Sequence, residues 1–163
     1  MKVSGITKIT DRKVLSAIED VMDRESWTDF FALYREIAGM NFAIWCNNHF
    51  GKRAYQRGYL GDKRVWLDKL LDLITADEET FWTILDCREV FLVDEDSAHA
   101  YALRLKSHNV NGVIVNSIYV KTFMSISGRH RVYANTSDNV FGYSMSRKTL
   151  TENPDYVTQN NGR

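Results

Sequence analysis

The chain has 163 residues, of which 44% are hydrophobic, 12% are aromatic and 26% are charged, and this composition is typical of a folded globular protein. Its 21 basic and 21 acidic residues give no net charge, which argues against a strongly basic nucleic-acid-binding protein and excludes a strongly acidic DNA mimic. Electrostatic recognition would therefore depend on local patches of charge.

The first 88 residues show the spacing of amphipathic helices. Residues 11–23 and 62–74 each place their apolar side chains on one helical face. Residues 26–29 fit a capping box, which predicts a further helix that turns the following aromatic residues toward the core. Residues 75–78 fit a second capping box. The sequence therefore predicts four helices in this part of the chain.

The second half of the chain is richer in β-branched and aromatic residues. Residues 89–93 predict a buried strand, and residues 97–107 carry apolar side chains at helical offsets. Residues 113–126 alternate as a long strand whose even positions face the core. Two shorter strands, at 130–134 and 139–145, would complete an antiparallel meander.

These elements together predict an α+β fold, in which an N-terminal helical bundle packs on a C-terminal, mainly antiparallel sheet of order β-α-β-β-β. We expect a single domain over residues 1–163, with a helical half (1–88), an α/β half (89–148) and a polar tail (149–163). No apolar run approaches the roughly 18 residues of a membrane helix, and the start of the chain lacks a secretory leader pattern. We therefore expect a cytoplasmic protein with no membrane contact.

Three consecutive acids, Asp94, Glu95 and Asp96, follow the predicted strand, and His99 comes shortly after them. Such a group could hold a hard cation, which needs several converging oxygen ligands. Acids are also favoured where a helix begins, because the free N–H groups there attract negative charge. The capping interpretation accounts for all three acids, so we predict neither a metal site nor a cofactor.

The segment GKRAYQRGYLGDKRVW, residues 51–66, has the strongest local bias of charge in the chain. Basic residues beside aromatic ones suit single-stranded nucleic acid, because bases stack on the rings while cations pair with phosphates. Its glycines match neither a Walker A loop nor a dinucleotide-binding motif, and the alternative is a solvated loop between helices. The candidate binding residues of this segment are Lys52, Arg53, Tyr55, Arg57, Tyr59, Lys63 and Arg64.

A second candidate phosphate site is the stretch GRHRVY, residues 128–133. Arg129, His130 and Arg131 follow a turn, and Lys121 lies on the preceding predicted strand. One guanidinium group can donate two parallel hydrogen bonds to a phosphate, so this cluster of basic residues suits a phosphate contact. The alternatives are an exposed polar strand, and a phosphodiester-cleaving site in which His130 acts as acid or base.

Residues 91–106, FLVDEDSAHAYALRLK, resemble a segment of small proteins from large T4-like tailed phages. The shared features are a strand, a pair of acids, and an alanine-rich and aromatic helix that ends in Leu-Arg. The resemblance implies a phage-encoded accessory or virion protein that acts in the host cytoplasm. It also implies binding to host or viral machinery without catalysis, and it assigns no catalytic residue.

The favoured function is therefore that of a non-enzymatic accessory protein that binds a macromolecule, with nucleic acid preferred over a host or viral protein. A nuclease-like enzyme that uses His130 with Arg129 and Arg131 is the first alternative. The second alternative is a virion structural or assembly protein whose aromatic residues form interfaces. The oligomeric state stays open at this point.

Overall fold

The computed structural model describes residues 1–47, 63–125, 132–135 and 138–160. Its main feature is a mixed eight-stranded sheet that takes strands from both halves of the chain. The prediction of an N-terminal helical bundle packed on a C-terminal antiparallel sheet is therefore wrong. The described elements, in chain order, are β1 (Thr7–Lys8), α1 (Arg12–Arg24), β2 (Phe30–Ile37), β3 (Met40–Asn47), α2 (Lys63–Thr75), α3 (Glu78–Leu85), β4 (Glu89–Asp94), β5 (His99–Val110), β6 (Val113–Ser125), β7 (Val132–Asn135), β8 (Asn139–Ser144), β9 (Thr149–Glu152) and β10 (Val157–Asn160).

The strands of the large sheet lie in the order β1-β2-β3-β6-β5-β4-β8-β9. The pairs β3–β6 and β4–β8 are parallel, whereas the other neighbours are antiparallel. Strands β7 and β10 form a separate parallel pair. The predicted meander is therefore wrong, because β7 pairs with β10, and β8 pairs with β4 instead of with β7.

Three of the four predicted helices are present. Helix α1 begins at the N-cap Asp11, whose carboxylate accepts hydrogen bonds from the backbone N–H groups of Lys13 and Val14. Helix α2 matches the predicted segment within one residue at each end. Helix α3 is capped by Asp77, and the protonated N-terminus of Met1 lies 3.0 Å from the same carboxylate.

The fourth predicted helix, expected to start at residues 26–29, is replaced by the hairpin β2–β3. Ile37 pairs with Met40, so the connection is a two-residue turn in which Ala38 and Gly39 have φ angles of 52° and 78°. Both angles are positive, as in the turns that match the twist of paired strands. The apolar residues then alternate across the sheet: Leu33 and Ile37 join one core cluster while Phe30 and Tyr34 pack on another.

The helix predicted at residues 97–107 is also wrong, because this segment lies in β5. A two-residue turn at Asn111 and Gly112, both with positive φ, joins β5 to β6. A β-bulge at Ala102/Leu103 inserts Lys121 into β6 without a direct partner. After the bulge the alternation of β6 shifts, so that Phe123 enters the core.

The two faces of the sheet are covered differently. Helices α2 and α3 pack on one face, where they form the largest core with residues such as Phe42, Leu92 and Leu103. Helix α1 covers one end of the opposite face, over Ala43 and Val115. The β7–β10 pair covers the other end of that same face. Within the ranges given above, no helix is both long enough and apolar enough to cross a bilayer.

Candidate functional site

A strip of aromatic and charged side chains lies between α1 and the β7–β10 pair, on the face opposite to α2 and α3. It crosses strands β3, β6, β5 and β4 at the middle of the sheet. We call it the aromatic–basic strip, and it consists of Trp27, Trp45, Tyr119, Arg104, Lys106, His108 and Lys121, together with Glu25 and Glu89.

Three aromatic rings form a continuous row on this strip. Trp27 stacks on Trp45 with ring centroids 4.0 Å apart, and Trp45 lies 4.3 Å from Tyr119. The indole N–H of Trp45 donates to Ser117 Oγ at 2.9 Å, and the amide of Asn47 donates to the Tyr119 hydroxyl at 3.0 Å. These bonds fix the orientations of the Trp45 and Tyr119 rings, because both rings are held at a polar atom as well as by ring contacts.

The basic side chains reach the strip because β5 alternates. Arg104, Lys106 and His108 occupy every second position, and successive strand side chains point to opposite faces. Cross-strand pairing then places Arg104 opposite Tyr119 and Lys106 opposite Ser117. The charged row on β5 therefore runs beside the aromatic row on β3 and β6.

Glu89 holds two of the cations. Its Oε1 accepts from Arg104 Nε at 2.8 Å, and its Oε2 accepts from Lys121 Nζ at 2.6 Å. Burial alone would raise the pKa of Glu89, but the hydrogen bonds from Lys121 and Arg104 outweigh it and bring the pKa below its ordinary value. The carboxylate is therefore ionised at neutral pH and orients both cations.

Glu25 binds basic side chains at the other end of the strip, as Glu89 does at its own end. Its Oε1 accepts from Lys106 Nζ at 2.6 Å and lies 3.8 Å from His108 Nδ1. The hydrogen bond from Lys106 lowers the pKa of Glu25. Burial lowers the pKa of His108, although the charge of Glu25 opposes this. At neutral pH the group therefore combines a carboxylate, an ammonium group and a neutral imidazole.

A hollow of about 230 Å³ opens between these groups. Aromatic rings form one wall and the β5 side chains the other, so the hollow offers apolar and polar surface together. Its lining residues are Glu25, Trp27, Trp45, Arg104, Lys106, His108, Ser117 and Tyr119.

A larger hollow, of about 520 Å³, lies at the end of α3 on the other face of the sheet. Trp82, which is 49% exposed, and Leu85 contribute to its apolar lining, and its charged lining residues are Asp86, Arg88 and Lys106. The aromatic residues of this lining, Phe42 and Trp82, do not form a stacked row like that of the strip. The smaller hollow on the strip is therefore the better candidate for a recognition site.

The three acids, Asp94 at the end of β4 and Glu95 and Asp96 after it, lie at a hairpin turn and not at the start of a helix. Asp94 Oδ1 accepts from the backbone N–H groups of Asp96 and Ser97, within the turn that joins β4 to β5. Asp96 reaches the neighbouring β8–β9 turn, where Ser146 donates to it from both its backbone and its hydroxyl. The backbone N–H of Ser146 lowers the pKa of Asp96. The acids thus join two adjacent turns.

His99 begins β5 and packs beside aromatic rings. Its ring centroid lies 5.2 Å from that of Phe123 and 5.8 Å from that of Trp66. Burial lowers the pKa of His99, and the charge of Lys69 acts in the same direction. Across the described part of the chain, no group of three or more His, Cys, Asp or Glu side chains could hold a metal ion.

The structure separates the predicted basic residues that it describes. Lys63 and Arg64 begin α2, on the face opposite to the strip, whereas Lys121 belongs to the strip. The catalytic candidate His130 lies outside the described residues. So do the remaining predicted binding residues, which are Lys52, Arg53, Tyr55, Arg57, Tyr59, Arg129 and Arg131.

Most residues of the strip were missed by sequence reasoning. Trp27 and Arg104 were each assigned to a predicted helix, whereas the structure places Arg104 on strand β5. Two signals could have found them. The Asn111–Gly112 pair is a strong hairpin signal between two strand-like segments, and the basic residues Arg104, Lys106 and His108 recur at every second position.

Comparisons of the chain with protein-family models, with curated proteins and with solved structures find no match. Its function therefore has to be inferred from the geometry of its own residues.

Proposed function

We propose that this protein is a non-enzymatic accessory protein that binds single-stranded nucleic acid through the aromatic–basic strip. The observation that carries the proposal is the row of Trp27, Trp45 and Tyr119, which runs directly beside the cations of β5. Bases stack on aromatic rings in a way that tolerates any sequence, while basic side chains follow the phosphates. The phage-type role is a further part of the proposal and depends only on the resemblance of residues 91–106.

The exposure of the cations supports a contact with phosphate. The side chains of Arg104 and Lys106 are 55% and 54% exposed, although each contacts a carboxylate. An exposed ion pair contributes only about 0–1 kcal/mol to stability, so a phosphate can compete with the carboxylate for these cations. Arg104 donates to Glu89 through Nε, and a guanidinium group carries further N–H donors on its two terminal nitrogens.

The shape of the strip favours a single strand over a duplex. The rings lie against the sheet between α1 and the β7–β10 pair, and bases can stack on such rings only when they are unpaired. The strip also has a narrow charge surplus, with three cations against two carboxylates. We therefore expect moderate affinity that weakens with salt.

The first test is fluorescence anisotropy of labelled single-stranded and duplex DNA and RNA across a salt series. Replacement of Tyr119 by alanine should weaken single-strand binding roughly five- to 150-fold, since stacking on one ring contributes about 1–3 kcal/mol per base. Trp82→Ala removes an aromatic side chain that is 49% exposed on the other face and serves as the matched control.

Three results would decide between the functions. Binding that weakens with salt, falls with Tyr119→Ala and survives Trp82→Ala supports the proposal. Equal loss in both variants, or no binding at low salt, contradicts it. Shortening of the labelled strand in the same assay would favour the nuclease-like alternative.

A further inference from the structure

The hollow beside Glu25 has the size and the lining of a site for one planar ring system. Its volume of about 230 Å³ is below the roughly 300–1,000 Å³ of pockets that enclose drug-sized ligands. Tyr119 and the half-buried Trp45 supply ring surface, while Trp27, which is only 8% exposed, backs Trp45 from the core side. Ser117, already bonded to the indole of Trp45, forms part of the lining. A single base fits this space, whereas a base with its sugar and phosphate would extend out of it.

The polar edge of the hollow presents one donor next to two acceptors. Lys106 Nζ donates to Glu25 Oε1 at 2.6 Å, so the ammonium group and the carboxylate lie side by side. Oε2 of Glu25 makes no hydrogen bond with any residue that the structure describes. An ammonium group keeps two further N–H donors after this bond, and a carboxylate oxygen can accept more than one hydrogen bond. This edge can therefore bind a ligand that presents one hydrogen-bond acceptor next to two donors.

Guanine is the base whose edge has that opposite pattern. Its O6 accepts, while its N1–H and N2–H donate from adjacent positions. Adenine and cytosine each place a ring-nitrogen acceptor beside their amino group, and that acceptor would face the carboxylate. Uracil and thymine offer one N–H between two carbonyl oxygens. Of the common bases, guanine alone can donate two parallel hydrogen bonds to one carboxylate.

We infer that the hollow beside Glu25 is a guanine-binding subsite, in which Glu25 accepts from N1–H and N2–H while Lys106 donates to O6. This inference rests on the proposed function where the guanine belongs to a nucleic-acid strand. Trp45 and Tyr119 then contact the ring, and Arg104 lies where the adjoining phosphate leaves the hollow. The low pKa of Glu25 keeps its carboxylate able to accept at neutral pH.

The test compares short oligouridines that carry one central guanosine, adenosine or inosine. Inosine lacks only the N2 amino group, so it removes one of the two hydrogen bonds to Glu25. We expect the guanosine probe to bind about tenfold more tightly than the adenosine probe, because one bidentate contact discriminates by about that factor or more. The inosine probe should fall between them.

The Glu25→Gln variant keeps the size of the side chain and one acceptor, but it loses the carboxylate. It should bind all three probes within about a factor of two of each other. Glu19→Gln, at an exposed position on helix α1, whose C-terminal end Glu25 follows, should keep the preference. Thermal unfolding of both variants checks that they fold. Equal binding of guanosine and adenosine probes by the parent chain would overturn the inference.

Guanine can reach the hollow as part of a nucleic-acid strand or as a free nucleotide, and competition with guanosine monophosphate distinguishes these two ligands. Displacement of the guanosine probe by the free nucleotide, but not by adenosine monophosphate, supports the subsite. If the free nucleotide binds while every oligonucleotide fails to bind, the guanine subsite stands and the proposed nucleic-acid function falls. If the oligonucleotides bind without any preference among bases, the function stands and the subsite falls.

Discussion

Replacing Glu89 with glutamine should lower stability and strengthen nucleic-acid binding at the same time. Glu89 and Lys121 are both mostly buried, with side chains 26% and 22% exposed, and their atoms lie 2.6 Å apart. A hydrogen bond to a charged group contributes about 1.5–3 kcal/mol, and the more exposed contact with Arg104 contributes about 0–1 kcal/mol. Because glutamine retains a neutral acceptor, we expect a net loss of about 1–2 kcal/mol.

The pH dependence of this loss follows from the pKa of Glu89, which is lower in the folded chain than its ordinary value. A carboxyl whose pKa is depressed by folding stabilises the protein above its unfolded pKa, here about 4.3, and that stabilisation is lost as the pH falls through the folded pKa. Urea unfolding of the parent and of Glu89→Gln should therefore differ at pH 7 and converge in acid.

Binding should change in the opposite direction, because Arg104 and Lys121 lose the carboxylate that competes with phosphate. The slope of log affinity against log salt should steepen by about 0.7 for each additional phosphate contacted by a single strand. Glu36→Gln, at an exposed position on β2, is the matched control. Unchanged stability at pH 7, or affinity that falls together with stability, would refute the reasoning.

Three further outcomes test the fold. Ala38 adopts a φ of 52° in the β2–β3 turn, so Ala38→Asn should raise the free energy of unfolding by about 0.5–1 kcal/mol in urea titrations; destabilisation would contradict the turn. A Cβ on Gly142 would clash with the Tyr156 hydroxyl and lie 3.2 Å from the Glu95 carboxylate, so Gly142→Ala should cost about 1–2 kcal/mol. Adding Tyr156→Phe removes the clashing hydroxyl and should restore part of this loss, whereas no recovery in the double variant would contradict the clash. Burial lowers the pKa of His108, so the unfolded chain takes up a proton first as pH falls below about 6.5. Stability should drop as the pH falls below about 6.5, and the drop should be smaller in His108→Gln; an identical pH curve for that variant would exclude this origin.

The helices could be predicted from the sequence because each has one buried face. Helix α1 buries Ala17, Ile18 and Val21 and exposes the opposite side, which produces a clear 3.6-residue period. Strand β5 gave the wrong period for a physical reason. Its residues from Ala100 to Leu103 are buried on both faces of the sheet, so the alternation of a strand disappears there.

The candidate site could not be assembled from the sequence, because its residues meet only through pairing of distant strands. Trp45 and Tyr119 come together because β3 lies parallel to β6, and no local pattern specifies which strands become parallel neighbours. Arg104 meets Tyr119 through the β5–β6 hairpin, which the Asn111–Gly112 turn does specify. Local signals therefore predict half of the strip, and the sheet order supplies the rest.

The absence of net charge is compatible with nucleic-acid binding because the acids of the strip orient its cations. Lys106 is held by Glu25, and Lys121 with Arg104 by Glu89, so the cations are already fixed before any ligand arrives. A ligand with phosphates alone would have to displace both carboxylates, which makes purely electrostatic binding weak. A single strand also supplies bases for the aromatic row, and stacking adds the free energy that the small charge surplus lacks. The strip should therefore discriminate strongly between a single strand and a polyanion without bases, such as heparin or polyphosphate, and binding of such polyanions with equal affinity would contradict the role of the aromatic row.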